Sequence, residues 1–254
     1  MKDLLAPRQL TELKRLASTR SLLAFDFDGT LAPLVPDPAL AVMQPSTRRL
    51  LTKVARLYPC AIISGRAQPL LVRLFAGVPV AHLIGNHGAE WPERDTPRRL
   101  ARLASVVARW RALLGSSVTG LPGVFVEDKG YSLSLHYRFA RRRAATLAQL
   151  EKIAAALPSC RAARGILTLN LMPDHSPNKG HALRRLMASS RAEMALFVGD
   201  DLTDEDAFAL GSRIDLVAVR VRRSARSHAG YYLRSQESLD ELLRVMWSLR
   251  RARS

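Results

Sequence analysis

The chain of 254 residues is 48% hydrophobic and 24% charged, long enough for one large domain or for a core with a modest second domain. This make-up excludes wholesale disorder, collagen-like repeats and a membrane bundle; no apolar run approaches the roughly 18 residues that a membrane helix needs. Lys and Arg number 39 against 22 acids, a formal charge of +17, yet the Arg groups lack interleaved aromatics, so a solvated basic surface that attracts anionic small molecules is expected rather than a nucleic-acid face.

Residues 1–18 are interrupted by Lys2, Asp3, Arg8, Glu12, Lys14 and Arg15 and hold no continuous apolar core for a signal peptide, so the cytoplasm is the expected location. The run 22–27 (LLAFDF) predicts a buried strand, and 45–58 carries Leu50, Leu51, Val54 and Leu57 at helical spacing. Buried strands are predicted again at 60–64 (CAIIS) and 82–86 (HLIGN). From about residue 98 the pattern changes. Leu100, Leu103, Val107, Trp110 and Leu114 mark one helical face, two strands are predicted at 123–127 and 131–137 around the turn Asp128-Lys129-Gly130, a helix at 141–157, and a strand at 166–171. Two more buried strands follow at 195–200 (ALFVGD) and 216–221 (LVAVRV). Strands alternating with helices predict a doubly wound parallel α/β sheet, and the middle reads as an α+β insertion. Cys60 and Cys160, a hundred residues apart among small or apolar neighbours, are expected as buried reduced thiols.

Polar residues collect at the carboxyl ends of four of the five predicted core strands, where open parallel sheets bind ligands. The first strand ends Asp26-Phe27-Asp28-Gly29-Thr30. Of two carboxylates at that spacing, one can attack while the other moves a proton, and both can hold a hard cation. Ser64 in Ser64-Gly65-Arg66 either caps a helix or offers its hydroxyl to a phosphate. The late strand ends in Asp200, Asp201, Asp204, Glu205 and Asp206, five acids within seven residues. Packed beside Asp26 they would repel one another unless a divalent cation lay between them, and oxygen-only ligands suit Mg²⁺. Lys179 is one of only six lysines in an Arg-choosing chain. It is either an ordinary exposed lysine or a compact ammonium set at a helix start for a phosphoryl group.

These four elements in this order resemble the haloacid dehalogenase superfamily of Asp-nucleophile phosphatases, with Asp26 and Asp28, Ser64, Lys179 and Gly199-Asp200-Asp201 as its four motifs. The resemblance implies Asp26 as the nucleophile that becomes an aspartyl-phosphate, Asp28 as acid and then base, and Ser64 and Lys179 on the phosphate oxygens. It also implies Mg²⁺ at Asp26, Asp28 (through its backbone carbonyl) and Asp200, with Asp201 and Asp204 in the outer shell. The finer segments 26–33 (DFDGTLAP), 63–66 (ISGR), 85–90 (GNHGAE) and 199–208 (GDDLTDEDAF), with Glu127-Asp128-Lys129 and His136-Tyr137-Arg138, are similar to trehalose-6-phosphate phosphatases. By that resemblance Gly65, Arg66, Asn86, His87, Glu90, Glu127, Lys129, His136, Arg138 and Asn170 bind the sugar phosphate; His87 and His136 have structural hydrogen bonding as their other reading. One departure is that Asn170 and Met172 stand where that family usually carries Glu and Arg. The expectation is therefore a monomeric Mg²⁺-dependent trehalose-phosphatase of trehalose biosynthesis, or a phosphatase of another sugar phosphate, with no nucleic-acid or membrane partner. It would have a Rossmann-like haloacid-dehalogenase-like core (residues 1–97 and 174–254) and a cap (98–173).

Overall fold

The computed structural model describes residues 1–35, 37–91 and 96–253. In chain order its elements are β1 (Lys2–Asp3), α1 (Leu10–Ser18), β2 (Ser21–Phe25), α2 (Pro45–Ala55), β3 (Cys60–Ile63), α3 (Gln68–Leu74), β4 (His82–Ile84), α4 (Pro97–Thr119), β5 (Phe125–Asp128) and β6 (Leu133–His136). There follow α5 (Arg143–Ala155), β7 (Cys160–Gly165), β8 (Thr168–Pro173), α6 (Lys179–Ser190), β9 (Met194–Gly199), α7 (Glu205–Phe208), β10 (Leu216–Val221), β11 (Tyr231–Leu233) and α8 (Ser238–Arg251). They divide into two compact units, Met1–Gly88 with Asn178–Ser254, and Ala89–Pro177.

The first unit is built on a parallel seven-stranded sheet in the order β1-β11-β10-β9-β2-β3-β4. Every residue of β2, β3 and β9 is buried, as expected of strands covered on both faces. Helices α1, α2 and α8 pack together, and α6 packs on β2, β3 and α7. The chain winds from β2 toward β3 and β4 in one direction and from β9 toward β10 and β11 in the other, so the switch point lies between β2 and β9. The five predicted core strands are present; β1 and β11, two and three residues long, add an edge that no apolar run announces.

The second unit is an antiparallel four-stranded sheet, β5-β6-β8-β7, with α4 and α5. Side chains alternate between sheet faces with period two. Leu133, Leu135, Leu169 and Leu171 therefore share one face, and they form a cluster with Val107, Trp110 and Leu114 of α4 and Leu150 and Ala154 of α5. The register puts Glu127, Ser134, His136, Asn170, Met172 and Arg161 on the other face. β7 (CRAARG) was not predicted, because its arginines hide its alternation.

Both cysteines are free; Cys60 is buried, whereas Cys160 is only partly so, which corrects the expectation of two buried thiols. Burial pushes the Cys60 thiol above its ordinary range. Among the described residues, no helix is long and apolar enough to cross a membrane.

Candidate active site

The carboxyl ends of β2 and β9 bring their acids together at the switch point. Asp26 follows β2, its N–H donating to the Val198 carbonyl at 2.9 Å, and Asp200 follows β9. The turn after β2 closes tightly: the N–H of Gly29 donates to Ala32 O (2.8 Å) and that of Ala32 to Phe27 O (2.9 Å). Gly29 has φ +77°, and a Cβ there would overlap the Asp200 carboxylate, so both backbone and space require glycine.

Lys179 opens α6, whose cap is the Asn178 side chain accepting from the His181 N–H at 2.9 Å. It is 1% exposed, which excludes the ordinary surface lysine. Its Nζ donates to Asp204 Oδ1 at 2.7 Å and lies 3.0 Å from Asp26 Oδ1. Burial alone would lower the ammonium pKa, but Asp204 and Asp26 override it and raise the group above its ordinary range. Asp204 is pinned further, since its Oδ2 accepts from the N–H groups of Asp200 (3.0 Å) and Asp201 (2.9 Å). Glu205 pairs with Arg220 at 2.9 Å, and Arg220 also donates to Asp201 O at 3.2 Å.

The five-acid run is thus partly neutralised by protein cations. Asp200 differs in that its Oδ1 is buried with no hydrogen-bond partner. Burial, and then the charges of Asp26 and Asp204, push its carboxyl up to about 9. Burial followed by Asp204 takes Asp201 to about 6, and Asp26 is raised chiefly by burial, against the pull of Lys179. Asp26, Asp200 and Asp204 each offer an oxygen within 4.8 Å of the others. A divalent cation with oxygen preference fits this set, because it would satisfy the orphaned Oδ1 and relieve the repulsion that adds to burial in raising the carboxyls of Asp26 and Asp200. Asp26 and Asp200 are the groups able to hold it, since Asp204 is occupied by Lys179 and two amides.

The other predicted residues of this unit cluster around β3 and β4. The Asp28 carboxylate is gripped by Arg66 through Nε–Oδ2 and Nη2–Oδ1, both 2.7 Å, and Arg66 lies over the Phe27 ring. Arg66, expected on substrate, is therefore a forked partner of Asp28 in this structure. Ser64 is buried, and its Oγ accepts from the Arg66 N–H at 3.2 Å. The turn after β4 is fastened to the turn after β3, with the Asn86 N–H on Arg66 O (2.8 Å) and the His87 N–H on Ser64 O (2.9 Å). Asn86 and His87 both take left-handed backbone, at φ 48° and 57°. Gly65 has no room for a Cβ because the His87 ring lies against it.

In the inserted unit Glu90 is buried. Glu127 Oε2 lies 2.8 Å from His136 Nε2 and 3.6 Å from Lys129 Nζ. The other His136 nitrogen is 3.2 Å from Thr168 Oγ1, and Phe125 stacks on the ring at 4.3 Å, so hydrogen bonding and stacking orient this histidine. The Asn170 Oδ1 accepts from Ser134 Oγ at 2.8 Å, Met172 is buried, and Arg138 is half-buried. Sequence reasoning did not find Arg220 or Gln236, whose Nε2 donates to Thr30 O at 3.0 Å and braces the turn after β2. The arginine inside the apolar run of β10 was an available signal for the first; Gln236 had none.

The family model described as Trehalose-phosphatase matches residues 24–237. A probable trehalose-phosphate phosphatase 4 of Oryza sativa subsp. japonica is 29% identical over 94% of this chain and 71% of its own length. The trehalose-phosphate phosphatase of Mycobacterium avium is 32% identical over 82% of this chain, which spans only 56% of that protein. The C-terminal domain of Candida albicans trehalose-6-phosphate phosphatase superposes with a TM-score of 0.75 at 23% identity, covering 98% of this chain and 99% of that one. A Synechocystis sucrose-phosphatase solved with sucrose and phosphate superposes at 0.61 and 17% identity, covering 90% and 98%; these two likenesses establish the fold. With its motifs gathered at one switch point and a match that begins within β2 and runs to residue 237, the chain belongs to the trehalose-phosphatase family.

Proposed function

We propose that the chain hydrolyses trehalose 6-phosphate to trehalose and inorganic phosphate through an aspartyl-phosphate on Asp26. The observation that carries this reading is the buried Lys179 bridging Asp26 and Asp204 beside the orphaned oxygen of Asp200. A nucleophilic carboxylate and a phosphate monoester are both anions, and their approach needs cations in a dry site. Lys179 supplies one, and it orients an Asp26 oxygen. A Mg²⁺ ion held by Asp26 and Asp200 would neutralise charge on the phosphoryl oxygens.

Asp26 attacks phosphorus, the bond from phosphorus to the sugar oxygen breaks, and Asp28 gives its proton to that oxygen. Water then attacks the aspartyl-phosphate, Asp28 takes the proton, and phosphate leaves with Asp26 restored. For the acid role Asp28 must loosen its fork with Arg66, because the guanidinium holds both of its carboxylate oxygens and leaves neither turned to the departing group. Ser64 and Lys179 are the groups that hold the phosphate, and Glu127, Lys129 and His136 read sugar hydroxyls, for which paired donors and acceptors are suited.

Phosphate release from trehalose 6-phosphate and glucose 6-phosphate, with and without Mg²⁺, tests the reading. Selective, Mg²⁺-dependent release from the trehalose ester is expected, and Asp26→Asn should abolish it in a protein that still folds. Turnover by that variant would remove Asp26 as the nucleophile. A second reading, a phosphatase of another sugar phosphate, is favoured by Asn170, an amide tied to Ser134 where a charged acceptor would grip hydroxyls harder. Equal kcat/KM on several hexose phosphates would select it.

A further inference from the structure

The apolar run of β10 is broken by Arg220. Val217, Val219 and Val221 belong to the core of the first unit, so the period-two alternation of a strand turns Arg220 to the other face of the sheet. Register places it beside Gly199, the residue before Asp200. From there one guanidinium nitrogen, Nη1, donates to two oxygens, Asp201 O at 3.2 Å and Glu205 Oε1 at 2.9 Å. The second Glu205 oxygen accepts from the His228 N–H at 2.8 Å, so both oxygens of this carboxylate are held. Only 15% of the Arg220 side chain and 17% of the Glu205 side chain are exposed, which shields the pair from the water and salt that weaken surface ion pairs.

These bonds tie the two ends of the turn that follows β9. Asp201 opens that turn and Glu205 begins α7. Within it Asp204 Oδ2 accepts from the N–H groups of Asp200 and Asp201. The turn is thus closed by Asp204 from within and by Arg220 from the neighbouring strand. Asp200, with its buried and partnerless Oδ1, stands directly before it. That oxygen is not aimed by any bond of its own, so the backbone that carries it sets its direction. Mg²⁺ demands near-octahedral geometry and tolerates little displacement of a ligand.

We propose that Arg220 is a positioning residue for the divalent cation: by tying Asp201 to Glu205 it holds Asp200 where the ion is taken up. The proposal rests on the Mg²⁺ reading above. Its test is isothermal titration calorimetry of Mg²⁺ into chelator-treated wild type, Arg220→Ala, Arg220→Lys and Asp200→Asn, well below Tm. Positioning and plain charge predict opposite signs. Deleting a cation near the site favours the entry of another, so Coulomb attraction alone would tighten Mg²⁺ binding. Loss of positioning should instead raise the Kd roughly tenfold or more in Arg220→Ala, the usual effect of removing a group that orients a metal ligand from outside. Arg220→Lys keeps the charge and can satisfy one of the two oxygens, so its Kd should lie between. An unchanged Kd in Arg220→Ala, even with a lower Tm, makes the arginine structural alone and overturns the proposal; a tighter Kd overturns it as well. Should Arg220→Ala fail to fold, Arg220→Gln, which also removes the charge, decides on the same sign. A wild type that takes up no Mg²⁺, or an Asp200→Asn variant that binds it equally well, overturns the metal reading and the proposal together.

Discussion

At the scale of single residues, the chemistry turns on what each carboxylate is bonded to. Asp26 shares Lys179 with Asp204, Asp28 is forked by Arg66, and Asp200 keeps a buried oxygen without a partner. Identical side chains thus acquire separate surroundings from their neighbours. If Asp28 protonates the departing oxygen, Asp28→Asn should slow trehalose 6-phosphate turnover by roughly 10² to 10⁴, a range typical of general acid–base catalysis. Hydrolysis of p-nitrophenyl phosphate should suffer less in its first step, because nitrophenolate departs without help. Burst kinetics on both esters checks this, and equal slowing of both first steps would remove Asp28 from the acid role. The two-aspartate motif and Lys179 were legible as residue types. Their bonding was not, because Asp204 lies 25 residues from the lysine it pairs with and Arg66 lies 38 from Asp28.

Elements decide where those residues stand. α6 starts on Lys179 because Asn178 caps it, and from that first turn the lysine reaches Asp26 and Asp204. Asn178→Ala should cost about 1 kcal/mol of stability, the usual worth of an N-cap, and should also lower kcat as Lys179 loses its anchor. Denaturant melts and steady-state kinetics together test it; a stability loss with kcat intact would show that the cap is structural alone. The apolar runs of β2, β3, β9 and β10 were readable because buried parallel strands need continuous apolar residues. β1, β11 and β7 were not, since edge strands and an arginine-bearing strand are decided by the partner they meet.

At the scale of the whole molecule, each unit has its own apolar core, and the first also carries three clustered buried carboxyls, Asp26, Asp200 and Asp204, beside a single lysine. A divalent cation bound there in the folded state but absent from the unfolded chain should stabilise by mass action. Mg²⁺ at a hundred times its dissociation constant should add about 2.7 kcal/mol and raise Tm over that of chelator-treated protein. The shift should vanish in Asp200→Asn if Asp200 is a ligand, which differential scanning calorimetry measures without reference to activity. The order of motifs along the chain, the apolar strands that deliver them and the inserted α+β segment were determined by the sequence alone, because local pattern and spacing encode them. The pairing of Lys179 with Asp204, the fork of Arg66 on Asp28 and the sheet face on which Arg161 lies were decided only by tertiary structure. Those relations join residues far apart in the chain, and strand register and burial, which no local pattern carries, set which of them meet.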